Sequence, residues 1–257
     1  MGAERQTQII AVTNQKGGVG KTTTAVNVAA QLAGPKRRVV LVDLDPQGNA
    51  TSSLGINKEA LPETLYDVLV LGKGPSEIVL PTNVPNLFLL PANNQLAQAE
   101  VDLVPMPHRE FRLREALKAV DAEVAIIDCP PALGLLTINA LAAANKVMIP
   151  VQAEYFALEG LGQLIQTIQA VKQSLNPQLE IFGVVLTMFT KRTVLSEQVQ
   201  AEVAQHFGDK LFKTVVPRNV RLAEAPSYGR TIFEHDKWSK GARAYKHLAE
   251  EVAKRLG

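Results

Sequence analysis

Cysteine, aromatic residues and long apolar runs are all scarce in this sequence. Its 257 residues include one cysteine, Cys129. That excludes a disulfide framework and any zinc or iron–sulfur site built from several cysteines of one chain. Aromatics make up 5%, while Ala, Val and Leu dominate, a balance that suits helices layered on a parallel sheet better than a β-sandwich. No apolar run approaches the ~20 residues that cross a bilayer, and the opening MGAERQTQ carries no signal-peptide pattern. A cytoplasmic protein is the expectation. Low-complexity tracts and repeats are absent, and the Pro-containing stretches 80–91 and 104–107 are short, so residues 1–257 read as a single domain. With 46% hydrophobic and 20% charged residues, a substantial core forms and disorder is excluded.

The net charge of +2 hides an asymmetry: residues 191–257 hold 13 basic and 8 acidic side chains, and the first 190 hold 14 and 17. A basic C-terminal quarter points to an anionic partner without naming one.

Apolar runs alternate with helical patterns from end to end. Strands are predicted at Gln8–Asn14, Arg38–Leu44, Asn86–Leu90, Glu123–Asp128, Lys146–Val151, Glu180–Thr187 and Lys213–Val216. Helices are predicted at Lys21–Leu32, Thr64–Leu71, Arg109–Val120, Leu135–Ala144, Leu158–Ser174, Ser196–Phe207 and Gly241–Leu256. Runs such as VVLVDL and AIID have the unbroken apolarity of parallel strands covered on both faces. The fold expected is α/β: one doubly wound, mostly parallel sheet with helices on both faces.

Between IIAVTN and an Ala/Val-rich helix stands Lys16-Gly17-Gly18-Val19-Gly20-Lys21-Thr22-Thr23. Glycines there let backbone N–H groups turn toward an anion, and the helix N-terminus adds its positive dipole end. In a phosphate loop of this kind Lys21 reaches the β- and γ-phosphates and the Thr22 hydroxyl binds Mg²⁺. The strict pattern G-x-x-x-x-G-K-[ST] is not met, because Gln15 stands where its first glycine belongs. Instead a second lysine, Lys16, leaves the loop in another direction and can serve a nucleotide held by a second subunit.

Two apolar runs end in carboxylates, at Asp43 and Asp45 and at Asp128. Strand ends of this kind are where ligands sit in an open parallel sheet. Asp128 fits a Mg²⁺ partner. Asp43 and Asp45 are two apart and project to the same side of an extended segment; of the two, Asp45 is the better candidate to position the attacking water.

Taken together, these residues resemble the ParA/Soj chromosome-partitioning ATPases, which carry a deviant Walker A loop. The likeness runs nearly end to end, through QKGGVGKTTT, LVDLDPQGNATSSLG, IIDCPP, PVQAEYFALEGLGQL, LTMFTKRTVLS and VVPRNVRLAEAPSYG. The resemblance implies an ATP-dependent sandwich homodimer in which Lys16 contacts phosphate across the interface and Lys21 acts in cis. It implies that Thr22 and Asp128 hold Mg²⁺, that Asp45 positions the water, and that Pro217, Asn219 and Met188 surround the adenine. It places Arg192 and Arg221 on DNA, and the neighbouring Arg218, Arg230, Lys237 and Lys240 extend that basic stretch. Between Pro217 and Lys246, 7 basic residues face 3 acidic ones, with few aromatics and neither a stacking platform nor a zinc motif, so nonspecific contacts to duplex phosphates are expected rather than base reading. The resemblance further implies slow hydrolysis stimulated by a ParB-like partner and residence on the nucleoid. Because the phosphate loop begins by residue 15, the N-terminal helix-turn-helix of some plasmid members is not expected, nor is site-specific repression.

Related readings differ in testable ways. MinD-like ATPases share the loop and bind membranes through an amphipathic C-terminal helix; here that helix is apolar at Ala244, Leu248, Val252 and Leu256, lacks a Phe/Trp face and includes Glu250 and Glu251, so a docked helix and no membrane partner are expected. The nitrogenase iron protein uses two cysteines per subunit. A metabolic phosphotransferase needs a small-substrate pocket that no constellation here announces. A non-catalytic binding module is disfavoured because Lys16 and Asp45 are both present.

Overall fold

The computed structural model describes residues 7–35, 37–154, 161–191 and 193–257. Its strands are β1 (Gln8–Val12), β2 (Val39–Asp43), β3 (Leu80–Pro81), β4 (Leu87–Leu90), β5 (Val124–Asp128), β6 (Lys146–Gln152) and β7 (Glu180–Thr187). They form a 7-stranded sheet in the order β3-β4-β2-β5-β1-β6-β7. Every pairing is parallel except that of β3, which lies antiparallel on the edge beside β4.

The helices are α1 (Lys21–Leu32), α2 (Asn49–Ser53), α3 (Leu65–Leu69), α4 (Pro75–Ile78), α5 (Ala99–Asp102), α6 (Arg112–Leu117), α7 (Leu135–Ala143), α8 (Leu161–Ser174), α9 (Val194–Phe207), α10 (Val220–Glu224), α11 (Ile232–Asp236) and α12 (Lys240–Leu256). The period-two pleat divides the core between them. Ile10, Val12, Val39, Leu41 and Ile126 face one side and pack with α1 and α12. Ala11, Val40, Val42, Ala125 and Ile127 face the other and pack with α3, α6, α7, α8 and α9. Strands buried on both faces explain the continuous apolar runs. The doubly wound α/β fold expected from the alternation is what the chain adopts.

Two elements differ from the sequence expectation. Lys213–Val216 is not a strand: isolated bridges join Leu211 to Val184 and Pro217 to Phe189, and Phe212 and Val216 donate to the Val184 and Leu186 carbonyls of β7, each at 2.8 Å, but Lys213 and Thr214 between them do not continue the ladder. The Glu251 carboxylate of α12 accepts from the backbone N–H of Lys213 at 2.9 Å and of Thr214 at 2.8 Å, so those groups are lost to a ladder with β7. The helix expected over Arg109–Val120 starts as a 3₁₀ turn at Arg109–Phe111 and ends at Leu117. Beyond it Lys118, Ala119 and Val120 donate to carbonyls only three residues back. The final helix docks as expected: Ala244, Leu248 and Val252 are buried against α1.

β1 and β5 lie side by side, and the chain leaves them in opposite directions: β1 passes over β5 to β2, and β5 passes over β1 to β6. That divergence is the crevice in which open α/β sheets take their ligands, and the loops after β1, β2 and β5 all open onto it.

Candidate active site

The loop after β1 is held from two sides and braced within. The Asn14 side chain donates to the Pro150 carbonyl at 2.7 Å and accepts from the Lys16 backbone N–H at 3.0 Å. On the far side the Thr187 hydroxyl, at the end of β7, donates to the Val19 carbonyl at 2.8 Å. Gly18 and Gly20 have φ of 72° and 88°, left-handed values that would strain any side chain. Gly20 is also the N-cap of α1 and has no side chain to cap it, leaving the first N–H groups of the helix turned into the loop.

The two lysines part company. Lys21 folds inward, only 7% exposed, and its ammonium donates to the Lys16 carbonyl at 3.1 Å. Burial lowers its pKa, while the charges of Asp128, Cys129 and Asp45 act in the opposite sense. Lys16 stays partly exposed at the rim, its ammonium 3.9 Å from Glu154. Glu154 also accepts from Gln152 at 2.6 Å and from Arg218 at 3.3 Å.

The three carboxylates are treated differently. Asp43 is fully buried and spends one oxygen on Thr51, whose N–H and hydroxyl each donate at 2.7 Å. Burial raises its pKa to about 7 against those bonds. Asp45 is nearly buried; one oxygen accepts from the Gln47 N–H at 2.9 Å, and its charge acts on both Lys21 and Asp128. Asp128 pairs in register with Asp43 at the ends of β5 and β2. Both its oxygens are buried and neither has a hydrogen bond of good geometry, although the Thr22 hydroxyl lies near. Burial first, and then the charge of Asp43, push its pKa well above the usual carboxylate range; the Thr22 hydroxyl and the Lys21 ammonium work the other way. A buried carboxylate left without donors is costly; a cation beside it would remove that cost. Among the described residues no group of three His, Cys, Asp or Glu side chains could hold a metal alone. The donor set of Thr22 and Asp128 therefore fits an ion that brings most of its own ligands, as Mg²⁺ does with phosphates and water.

Beside the loop lies a cavity of about 220 Å³ lined by Gly20, Met188, Pro217, Asn219 and Tyr245 among others. Three of these, Met188, Pro217 and Asn219, are far from the loop in sequence, and main-chain bonds hold their two segments together: Phe189 donates to Val216 at 3.0 Å and Arg218 to Phe189 at 3.2 Å. Met188 is held at φ 50°, a conformation that a non-glycine residue adopts only under local constraint. Asn219 is the N-cap of α10, yet its side chain makes no cap bond, and its buried Oδ1 has no partner. An asparagine at that position ordinarily accepts from the helix; this one keeps an acceptor aimed elsewhere.

The basic residues of the C-terminal quarter occupy the surface of α10–α12. Arg221 donates to Glu224 at 2.8 Å and approaches Asp236 at 3.7 Å. Arg218 is engaged by Glu154, whereas Arg230, Lys237 and Lys240 have no ion pair among the described residues. Arg192 lies outside the described residues. Sequence reasoning passed over Thr187, Glu154 and Thr51. Thr187 and Thr51 stand at a strand end and after a strand-end acid, positions that topology alone makes important.

Residues 7–181 match the family described as an AAA domain. The chain is 56% identical over 248 residues to "Sporulation initiation inhibitor protein Soj" of Bacillus subtilis, with 96% of this chain and 98% of that one covered. It is 52% identical over 250 residues to "Chromosome partitioning protein ParA" of Myxococcus xanthus, covering 96% and 88%. Among solved structures, a Mycobacterium smegmatis protein titled cobyrinic acid a,c-diamide synthase, with bound ATP analogue and magnesium, superposes with a TM-score of 0.86 at 40% identity, covering 98% and 96%. Full-length similarity at these identities, on a sheet with this loop at its crevice, leaves one conclusion: the chain belongs to the ParA/Soj family of chromosome-partitioning ATPases.

Proposed function

We propose that this chain is a partitioning ATPase whose ATP-bound homodimer holds nonspecific double-stranded DNA and releases it after hydrolysis that is slow until a ParB-like partner stimulates it. The observation that carries the reading is the divergence of the two loop lysines. Lys21 is folded into its own loop, where the β- and γ-phosphates would lie. Among the described residues Lys16 stands at the rim with only an exposed contact to Glu154, free to reach a phosphate on a second copy.

The roles of the remaining residues follow from their surroundings. The backbone of Gly17, Gly18, Val19 and Gly20, with Thr22 and Thr23 at the start of α1, cradles the phosphates. Thr22 and Asp128 hold Mg²⁺, which when bound neutralises charge on the β- and γ-oxygens. Asp43 is committed to Thr51, so Asp45 is left to orient the water. Met188, Pro217 and Asn219 enclose the adenine, and the unpartnered Asn219 Oδ1 accepts from its amino group. The solved relative with ATP analogue and magnesium supports ATP and Mg²⁺ as the cofactors here.

α1 also connects the nucleotide to the basic face. Thr24 shares a hydrogen bond of 3.1 Å with the buried Tyr245 of α12, and Asn27 accepts from the Ile232 N–H of α11 at 2.8 Å. Arg218, Arg221, Arg230, Lys237 and Lys240 lie on that side and, doubled in a dimer, neutralise enough phosphates for binding to depend on dimerisation. Arg192 joins them in this reading, and the protein sits on the nucleoid in the cytoplasm. Among the described residues no helix is long and apolar enough to cross a membrane, and the buried face of α12 argues against a surface anchor.

Light scattering of Lys16→Ala in ATP tests the reading. The expected result is ATP binding without an ATP-dependent dimer and without hydrolysis. A Lys16→Ala protein that dimerises and turns over ATP like the parent would overturn it.

A further inference from the structure

The chain has one tryptophan, Trp238, and it is 79% exposed. An indole is among the most costly side chains to leave in water, and exposed aromatics at specific places mark contact surfaces. The turn that presents it is tightly built. Asp236 Oδ1 accepts from the Trp238 N–H at 3.1 Å, the Asp236 carbonyl accepts from Ser239 at 3.1 Å, and Ser239 caps α12 by accepting from Ala242 at 3.0 Å.

The same Asp236 carboxylate approaches Arg221 at 3.7 Å, so the backbone turn that carries Trp238 lies beside that guanidinium. Lys237 Nζ lies 5.3 Å from the indole centroid. Lys237 and Lys240, which flank Trp238 in sequence, have no ion pair among the described residues. Tyr228, 65% exposed and tilted against His235 of α11 with ring centroids 5.0 Å apart, is a second exposed aromatic in this region of the chain.

We infer that Trp238 is an apolar contact of the DNA-binding face, its indole packing on the sugar edge or a base step of duplex DNA while Lys237 and Lys240 neutralise the flanking phosphates. The inference rests on the DNA-binding reading above and adds what lysines alone lack. A purely cationic face derives its affinity from counterion release and weakens with salt in proportion to the phosphates contacted. Aromatic contact adds a salt-independent part. An indole among lysines also suits an anionic membrane surface. The observations favour DNA, because α12 spends Ala244, Tyr245, Leu248 and Val252 on the core and has no apolar face left for a bilayer.

As the sole tryptophan, Trp238 reports on itself. The full chain, loaded with a non-hydrolysable ATP analogue and Mg²⁺, is titrated with a random-sequence duplex while fluorescence and the anisotropy of labelled DNA are followed together; phosphatidylglycerol vesicles form a parallel arm. The expected result is saturable quenching that tracks DNA binding, with no response to vesicles. Trp238→Ala then binds DNA roughly fivefold or more weakly with the salt slope unchanged, whereas Lys237→Ala lowers the slope by about 0.9. DNA binding by anisotropy without a fluorescence change, and with Trp238→Ala as tight as the parent, overturns the role of Trp238 alone. A response to vesicles and none to DNA overturns it in favour of a membrane. No DNA binding by the parent overturns both this inference and the DNA-binding reading.

Discussion

At the carboxyl ends of the strands the charged groups are buried, and Asp128 has no hydrogen bond of good geometry; on the face of α10–α12 they are exposed, and some already have partners. Asp128 is wholly buried with neither oxygen in a hydrogen bond of good geometry, and Asn219, which lines the cavity, keeps a buried acceptor without a partner. Arg221, by contrast, is more than half exposed and sits against Glu224 and Asp236. In the low dielectric of the crevice an unpaired carboxylate is expensive, so a complementary cation is worth several kcal/mol there. On the surface an ion pair contributes about 0–1 kcal/mol, so a phosphate can displace Glu224 from Arg221 at little cost. The buried site is preorganised for one ligand. The exposed face is weak residue by residue and gains only from number, which is what a nonspecific, reversible grip requires.

Substitutions in the two regions therefore differ in kind. The largest effect is expected for Asp45→Ala: turnover drops by roughly 10²-fold or more, while ATP binding, dimerisation and DNA binding persist. Normal phosphate release from this variant would remove Asp45 from the mechanism. Next comes Arg221→Glu, which reverses a charge on the exposed face; DNA binding falls below detection with the ATP dimer intact. If gel filtration in ATP shows only monomer, Arg221 serves the structure instead.

Asp43 gives a pH signature to the buried end. Its folded pKa of about 7 stands above the ordinary value of 3.8, so between the two the folded chain keeps a proton that the unfolded chain has lost. The associated stability is complete below the unfolded value and is lost as pH rises through about 7. In metal-free protein, Asp43→Asn should remove a few kcal/mol of that decline, read as a urea midpoint that falls less between pH 5 and 8 than the parent's. An identical decline in both proteins would place its origin elsewhere. The smallest effect belongs to Asn219→Ala, expected to weaken ATP about tenfold without touching GTP; equal loss for both nucleotides would sever Asn219 from the adenine.

The same contrast explains what the sequence disclosed. The loop from Lys16 to Thr23 was legible because glycines, lysine and hydroxyl must stand together in the chain to wrap one anion. Six strands were legible because burial on both faces leaves unbroken apolar runs. Helices α2, α4, α5, α10 and α11 were not, since four or five residues carry too little of a helical period to register. Lys213–Val216 reads as a strand because its apolar pattern is right; only the structure reveals Glu251 taking its donors. Asp43 and Asp45 are equivalent in spacing, and what separates them is Thr51, eight residues beyond Asp43. Without the family resemblance, Met188, Pro217 and Asn219 would have carried no signal, because a pocket assembled from β7 and the α10 loop has no local pattern. Trp238 was visible as a residue, but its exposure is a tertiary fact.

The central claim is that nucleotide state, acting through dimerisation, governs a grip made of many weak phosphate contacts. Its most direct test is binding to a nonspecific duplex over a salt series, with ATP and ADP in parallel. The account predicts binding in ATP that falls steeply with salt, and little binding in ADP at any salt. Equal binding in both nucleotides, or none in ATP once the dimer is confirmed, would contradict it.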